Sequence, residues 1–120
     1  MLSIIISTFN RVKELEKCLE HISQQTFKDY EIIVIDQNTN LPGIEEIVKK
    51  HSTTRYFKLD KNYGPAIGRN FAVQKSFGDL LLFLDDDAYL IDKSTLDKTT
   101  NFYQKNNYGQ LGLQSLENYK

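Results

Sequence analysis

The fold class that this 120-residue sequence predicts is α/β: a Rossmann-like, three-layer α/β/α arrangement around a mainly parallel sheet. Three observations predict it. Apolar runs too short for helices alternate with segments of helical periodicity. Those runs are apolar at consecutive positions, as strands covered on both faces must be. A polar cluster follows each run: Ser7-Thr8-Phe9-Asn10, Asp36-Gln37-Asn38, Asp60-Lys61-Asn62 and Asp85-Asp86-Asp87. In parallel sheets ligands bind outside the carboxyl ends of the strands, so these clusters are expected to meet at one edge.

Residues 2–7 form a β-branched apolar run and are expected to be a buried strand. Across residues 11–25, Val12, Leu15, Cys18, Leu19 and Ile22 fall at helical spacing, with Asn10 expected as the N-cap. Residues 31–36 read as a second buried strand. The turn-rich residues 38–43 lead into a short helix carrying Ile44, Ile47 and Val48. Residues 54–59 are a third strand. Pro65 suits the first turn of a helix reaching about Ser76, with Ala66, Ile67 and Phe71 expected to face inward. Residues 79–84 are a fourth strand, the most apolar of the four. Asp92 or Ser94 is expected to cap a helix reaching about Lys105, and residues 108–120 have room for one more strand.

Composition narrows the function classes. Apolar residues are 40% and charged residues 26%, which is ordinary for a folded domain and unlike a disordered chain. A net charge of −1 supplies no field for nucleic acid or an anionic membrane. Residues 80–84 are the longest apolar stretch, far short of a bilayer span. The N-terminus lacks the basic region of a signal peptide, and the single cysteine, Cys18, has no internal disulfide partner. Together these point to a cytoplasmic protein. Cys18 lies on an apolar helical stripe and reads as core rather than nucleophile.

The chemistry concentrates at Asp85-Asp86-Asp87. Adjacent carboxylates at a buried strand end repel one another, and a divalent cation removes that penalty. Hard oxygen ligands favour Mn2+ or Mg2+, which complete their shells with water and substrate phosphates. The plain alternative is a solvated turn with a helix cap. In the segment Asn62-Tyr63-Gly64-Pro65-Ala66-Ile67-Gly68-Arg69-Asn70, Gly64 permits a tight turn and Gly68 a close helix approach. Arg69 lies one turn in, where it can reach a diphosphate or base; alone it would be an ordinary surface arginine. Asp36 can accept from a ribose hydroxyl or base N–H, or serve as an Asx-turn residue.

Taken together, these clusters resemble the N-terminal half of family 2 glycosyltransferases, which have the A-type nucleotide-diphospho-sugar fold. The matching pieces are residues 3–11, Leu19 with residues 23–27, residues 30–36, Asn62-Tyr63-Gly64 with Gly68-Arg69-Asn70, and Gly78-Asp79 followed by residues 83–87. The resemblance implies a nucleotide-diphospho-sugar donor held at the strand ends. Ser7, Thr8 and Phe9 would line the nucleotide pocket, Asp36 and Gln37 would face base or ribose, and Arg69 would lie near the base. Asp85 and Asp86 would approach ribose and diphosphate, while Asp85 and Asp87 would hold the metal, Asp87 as its principal ligand. It further implies transfer with inversion to a glycan or lipid-linked acceptor, a place in polysaccharide biosynthesis, and a cytoplasmic location that can be peripheral to the inner face of the membrane. A homodimer is the expected self-association.

The sequence departs from the family pattern at Ser7, where a proline is usual, and at Gln37, where many members carry a second aspartate. The family's catalytic domain is also longer. After Asp87 the acids are Asp92, Asp97 and Glu117, none of which is assigned as the general base. Residues 1–120 are therefore expected to be a donor-binding portion that is incomplete at the C-terminus and poor at transfer alone. Two other readings compete: a non-catalytic nucleotide-binding or interaction module, and a nucleotidyltransferase. The latter lacks a Gly-rich basic loop after the first strand.

Overall fold

The computed structural model describes residues 1–37, 42–106 and 109. Its elements run β1 (Leu2–Thr8), α1 (Val12–Ser23), β2 (Tyr30–Asp36), α2 (Ile44–Lys49), β3 (Thr54–Lys58), α3 (Pro65–Lys75), β4 (Leu80–Phe83) and α4 (Thr95–Lys105). The expected fifth strand at residues 108–120 lies outside the described residues apart from Gly109.

The sheet is wholly parallel, in the order β3-β2-β1-β4. Side chains alternate across a strand, so β1 and β2 each feed two cores. Leu2, Ile4 and Ile6, with Tyr30, Ile32 and Val34, pack against α1, α2 and Leu96 of α4. Ile5, Ile33 and Ile35 pack on the opposite side with Phe71 and Ala72 of α3. That is the expected three-layer architecture.

The expected faces of two elements need correction. On α3, Ala66 is exposed and Ile67 is 52% exposed; Gly68 and Ala72 face the sheet instead, with Phe71 half-buried. The cause is the closeness of the approach. A Cβ at Gly68 would run into the Gln37 amide and would stand 3.1 Å from the Ser7 hydroxyl, so only the small-residue stripe fits there. β4 is half-buried, and among the described residues it pairs with β1 alone. Being the most apolar strand did not make it the most buried one.

Helix starts are set by backbone more than by the expected caps. Arg11, rather than Asn10, is the N-cap of α1; Asn10 occupies the left-handed region at φ 55°, a conformation asparagine tolerates. Gly64 precedes α3 at φ 87°, and Pro65 begins the helix. Ser94 is the N-cap of α4, and the Asp92 carboxylate accepts from both its amide (2.9 Å) and its hydroxyl (2.7 Å). Buried Gln25 ties this corner to the end of α1: its Nε2 donates to the Asp92 carbonyl (2.7 Å), and its Oε1 accepts from the Leu96 amide (3.0 Å).

At the amino edge of the sheet, buried Glu31 joins β1, β2, β3 and the segment entering β4. It accepts from the Ser3 hydroxyl (2.7 Å), the Phe77 amide (2.7 Å) and the Arg55 guanidinium (3.1 Å). Burial pushes its carboxyl up, but these donors and the Arg55 charge outweigh burial and leave it below the usual glutamate range. Its ionised form thus stabilises the fold at neutral pH, and this contribution is lost as pH falls through the lowered value. Glu31→Ala should cost about 2–4 kcal/mol in denaturant unfolding at neutral pH, since it strands buried donors and a cation. Glu31→Gln should flatten the acid limb of the stability profile below about pH 4.3, where the wild type falls.

Candidate active site at the carboxyl edge of the sheet

Parallel pairing brings the strand ends to one edge. Thr8 lies opposite Asp36, Asp36 opposite Lys58, and Ile5 opposite Phe83, so β4 ends three residues lower and its acids follow after Leu84. The Leu84 amide continues the pairing to the Ile5 carbonyl at 3.0 Å. This register aligns the Asp85-Asp86-Asp87 loop with the end of β1.

The three acids do not share one environment, and the expectation of three carboxylates at a buried strand end needs correction. The Asp85 and Asp87 side chains are 72% and 54% exposed, whereas Asp86 is 7% exposed. Asp86 turns inward, where its Oδ2 accepts from the Thr8 hydroxyl at 2.9 Å and its Oδ1 meets Arg11 Nε at 3.0 Å. Burial pushes its carboxyl above the ordinary range; the Thr8 bond and Arg11 oppose this, while Asp87 and Glu14 add to it. Arg11 also reaches outward, its NH2 lying 3.0 Å from Asp87 Oδ2. Arg69 approaches Asp85 Oδ1 at 3.4 Å, with its guanidinium 5.8 Å from the centre of the Phe83 ring.

The end of β2 supplies two more predicted residues, both 2% exposed. The Asp36 carboxylate accepts from the Tyr56 hydroxyl at 2.6 Å, and these two residues, with Pro42, Gly43, Ile44, Glu45, Glu46 and Lys58, line a cavity of about 220 Å³. Burial, then the Asp36 bond and charge, raise the Tyr56 phenol, so it stays protonated and donates. Gln37 turns toward the protein: its Nε2 donates to Gly64 O (2.9 Å) and Ser7 Oγ (3.3 Å), and its Oε1 accepts from the Tyr63 amide (3.1 Å). Gln37 therefore locks the β1 and β2 ends to the start of α3. Phe9 is exposed beside this edge, and Thr8 is buried beneath it.

Among the described residues no group of three His, Cys, Asp or Glu side chains is arranged to hold a metal. Asp85 and Asp87 offer two solvent-facing carboxylates, a donor set of the kind Mg2+ and Mn2+ use when water and phosphate complete the shell. The residues fit such an ion on that condition. Of the acids beyond Asp87, Asp92 is committed to the α4 cap and to Lys98 (3.2 Å), which hold its carboxyl down at about 2. Asp97 accepts from the Thr26 hydroxyl, and Glu117 lies outside the described residues.

Two residues at this edge had no role assigned from the sequence. Tyr56 gives no local signal, since its partner stands 20 positions earlier. Arg11 is detectable only as a cation that follows a strand-end polar cluster. Cys18 is core as expected: burial, and then the charges of Asp86, Asp87 and Asp85, push its thiol up to about 12.

A comparison with protein families matches residues 3–117 to Glycosyl transferase family 2. A Campylobacter jejuni protein named GalNAc(5)-diNAcBac-PP-undecaprenol beta-1,3-glucosyltransferase is 38% identical over 107 residues, covering 83% of this chain and 34% of its own. The poly(ribitol-phosphate) beta-N-acetylglucosaminyltransferase TarP of Staphylococcus aureus is 34% identical, covering 88% of this chain and 33% of its own. The chain thus spans about a third of these two relatives. Among solved structures, S. aureus TarS 1-349 in complex with UDP-GlcNAc superposes with a TM-score of 0.82 at 25% identity, covering 95% of this chain and 37% of that one.

Two outcomes test the site as described. The Cys18 thiol should resist a disulfide-exchange reagent at pH 8 in the native protein and react at the ordinary thiol rate in denaturant. Thr8→Val should cost about 1–3 kcal/mol of stability, read from denaturant midpoints, because it removes a hydrogen bond from the buried Asp86 carboxylate.

Proposed function

This chain belongs to Glycosyl transferase family 2, and on that premise we propose that residues 1–120 are the donor-binding portion of a glycosyltransferase. In this reading the chain binds a nucleotide-diphospho-sugar with Mn2+ or Mg2+ and takes part in inverting transfer to a glycan or lipid-linked acceptor. The observation that carries the reading is the placement of Asp85 and Asp87, facing outward, on the same sheet edge as Asp36, Arg11 and Arg69. The TarS structure with UDP-GlcNAc, on a closely superposing fold, supports a nucleotide sugar as ligand.

Each residue then has a task. Asp36, oriented by Tyr56, accepts from the nucleoside, and the exposed ring of Phe9 with Ser7 and Thr8 borders its pocket. Asp85 and Asp87 hold the cation, which when bound stabilises charge on the departing diphosphate. Asp86 stays inside and fixes the loop that carries them. Gln37 contributes through the shape of the β1–β2–α3 junction, because its amide is engaged within the protein. The acceptor hydroxyl must lose its proton to a base; among the described residues beyond Asp87, Asp92 and Asp97 are both engaged within the protein. The second reading is a nucleotide-binding module without turnover. The proposed location is cytoplasmic, with a peripheral position at the inner face of the membrane as an option that the undecaprenol-linked substrate in the name of the Campylobacter relative supports. Among the described residues no helix is long and apolar enough to cross a membrane.

Calorimetry with UDP, GDP and dTDP decides the binding claim. Binding should require Mn2+ and vanish in chelator, and Asp87→Asn should abolish the metal-dependent part while the unfolding midpoint holds. Equal affinity in chelator would remove the cation from the account. Incubation with nucleotide sugars and mixed glycan acceptors, following both diphosphate release and glycan product, separates the transferase from the binding module.

A further inference from the structure

Arg11 stands on the edge that carries the donor-binding reading, and that reading gives it no task of its own. Its guanidinium forks across two successive acids, with Nε 3.0 Å from Asp86 Oδ1 and NH2 3.0 Å from Asp87 Oδ2. The two contacts differ in kind. Asp86 is buried and braced by Thr8, so the Nε contact is a fixed anchor. Asp87 is more than half exposed, so the NH2 contact is the loose end. The residue is itself the N-cap of α1 and has no side-chain capping bond, so its backbone is held by the helix while its side chain engages the acids.

We propose that Arg11 is a diphosphate-binding residue kept on the acidic loop, which exchanges its Asp87 contact for the donor's diphosphate when a divalent cation takes that carboxylate. The inference rests on the donor-binding reading above. Its physical basis is competition between like charges. A guanidinium arm and a divalent cation on one carboxylate oxygen repel at contact distance even where that carboxylate is half exposed. The Nε contact to Asp86 keeps the displaced side chain within reach, and a guanidinium matches diphosphate oxygens as well as it matches a carboxylate. Arg11, once off Asp87, would engage the diphosphate, so binding of cation and of diphosphate would be mutually favourable. Arg69 cannot do this in the same way, because its 3.4 Å contact to Asp85 has no second, buried anchor among the acids.

The test has two arms of opposite sign, which loss of a purely structural residue would not produce. Mn2+ alone, titrated by electron paramagnetic resonance without nucleotide, should bind Arg11→Gln at least about fivefold more tightly than wild type, because the competing charge is gone. UDP in saturating Mn2+ should bind the same variant about tenfold more weakly, the loss of one charge-assisted hydrogen bond. Unchanged or weaker Mn2+ binding by Arg11→Gln overturns the exchange, and unchanged UDP affinity overturns the diphosphate role. If the variant does not fold, guanidinium 15N NMR of the wild type with Mg2+ and then UDP decides instead: an Arg11 signal that stays fixed through both additions overturns the proposal. Wild-type protein that binds no nucleoside diphosphate would remove the donor-binding reading and this inference with it. Wild-type binding with an unaffected variant removes this inference alone.

Discussion

The carboxylate of Asp86 ties together parts of the chain 78 positions apart: the Thr8 hydroxyl at the end of β1 and the loop that leaves β4. A buried charge is costly unless paired and hydrogen-bonded, and here both conditions are met, with Thr8 on one oxygen and Arg11 on the other. The consequence is directional. With the middle acid turned inward and held, the acids on either side must face solvent, so two carboxylates project from a rigid base rather than from a free loop. The site depends on a residue that itself faces away from it.

A second buried carboxylate does comparable work at the other end of the sheet. Glu31 gathers the Ser3 hydroxyl, the Phe77 amide and Arg55, and the adjacent Gly78 amide donates to Ser3 Oγ at 2.8 Å. A Cβ at Gly78 would come within 2.7 Å of the Met1 carbonyl and the Ser3 amide, so the turn into β4 is pressed against the first strand. β4 enters the sheet through one ionic cluster and leaves through another. Among the described residues it pairs only with β1, and these polar ends add definition to its two termini.

The strands, their parallel pairing and the convergence of polar loops are legible in the sequence because they follow from local periodicity and from the handful of ways parallel strands can be connected. Side-chain direction is less so. Ile67 looks like core by hydropathy, yet the helix docks through Gly68 and Ala72, a choice made by the space above Gln37 and Ser7. The acidic triplet reads as one unit in the sequence, but the fold divides it into an inward member and two outward ones. Gln37 reads as a ligand contact and is found spending its amide on the α3 junction. Arg11 and Tyr56 gain meaning only from partners 20 or more positions away, which no local pattern records.

The pairing of β4 with β1 also has a kinetic side. Leu2 lies opposite Leu80, so this ladder closes a loop comprising most of the chain, while the β1–β2 and β2–β3 pairings close much shorter ones. Closure entropy rises with loop length, and a four-residue edge strand returns little pairing energy until its polar ends lock. The expected order of assembly is therefore β1, β2 and β3 first, with β4 adding late and opening first. The acids travel with β4, so a molecule in which β4 is open keeps the Asp36–Tyr56 half of the edge and lacks the acidic half.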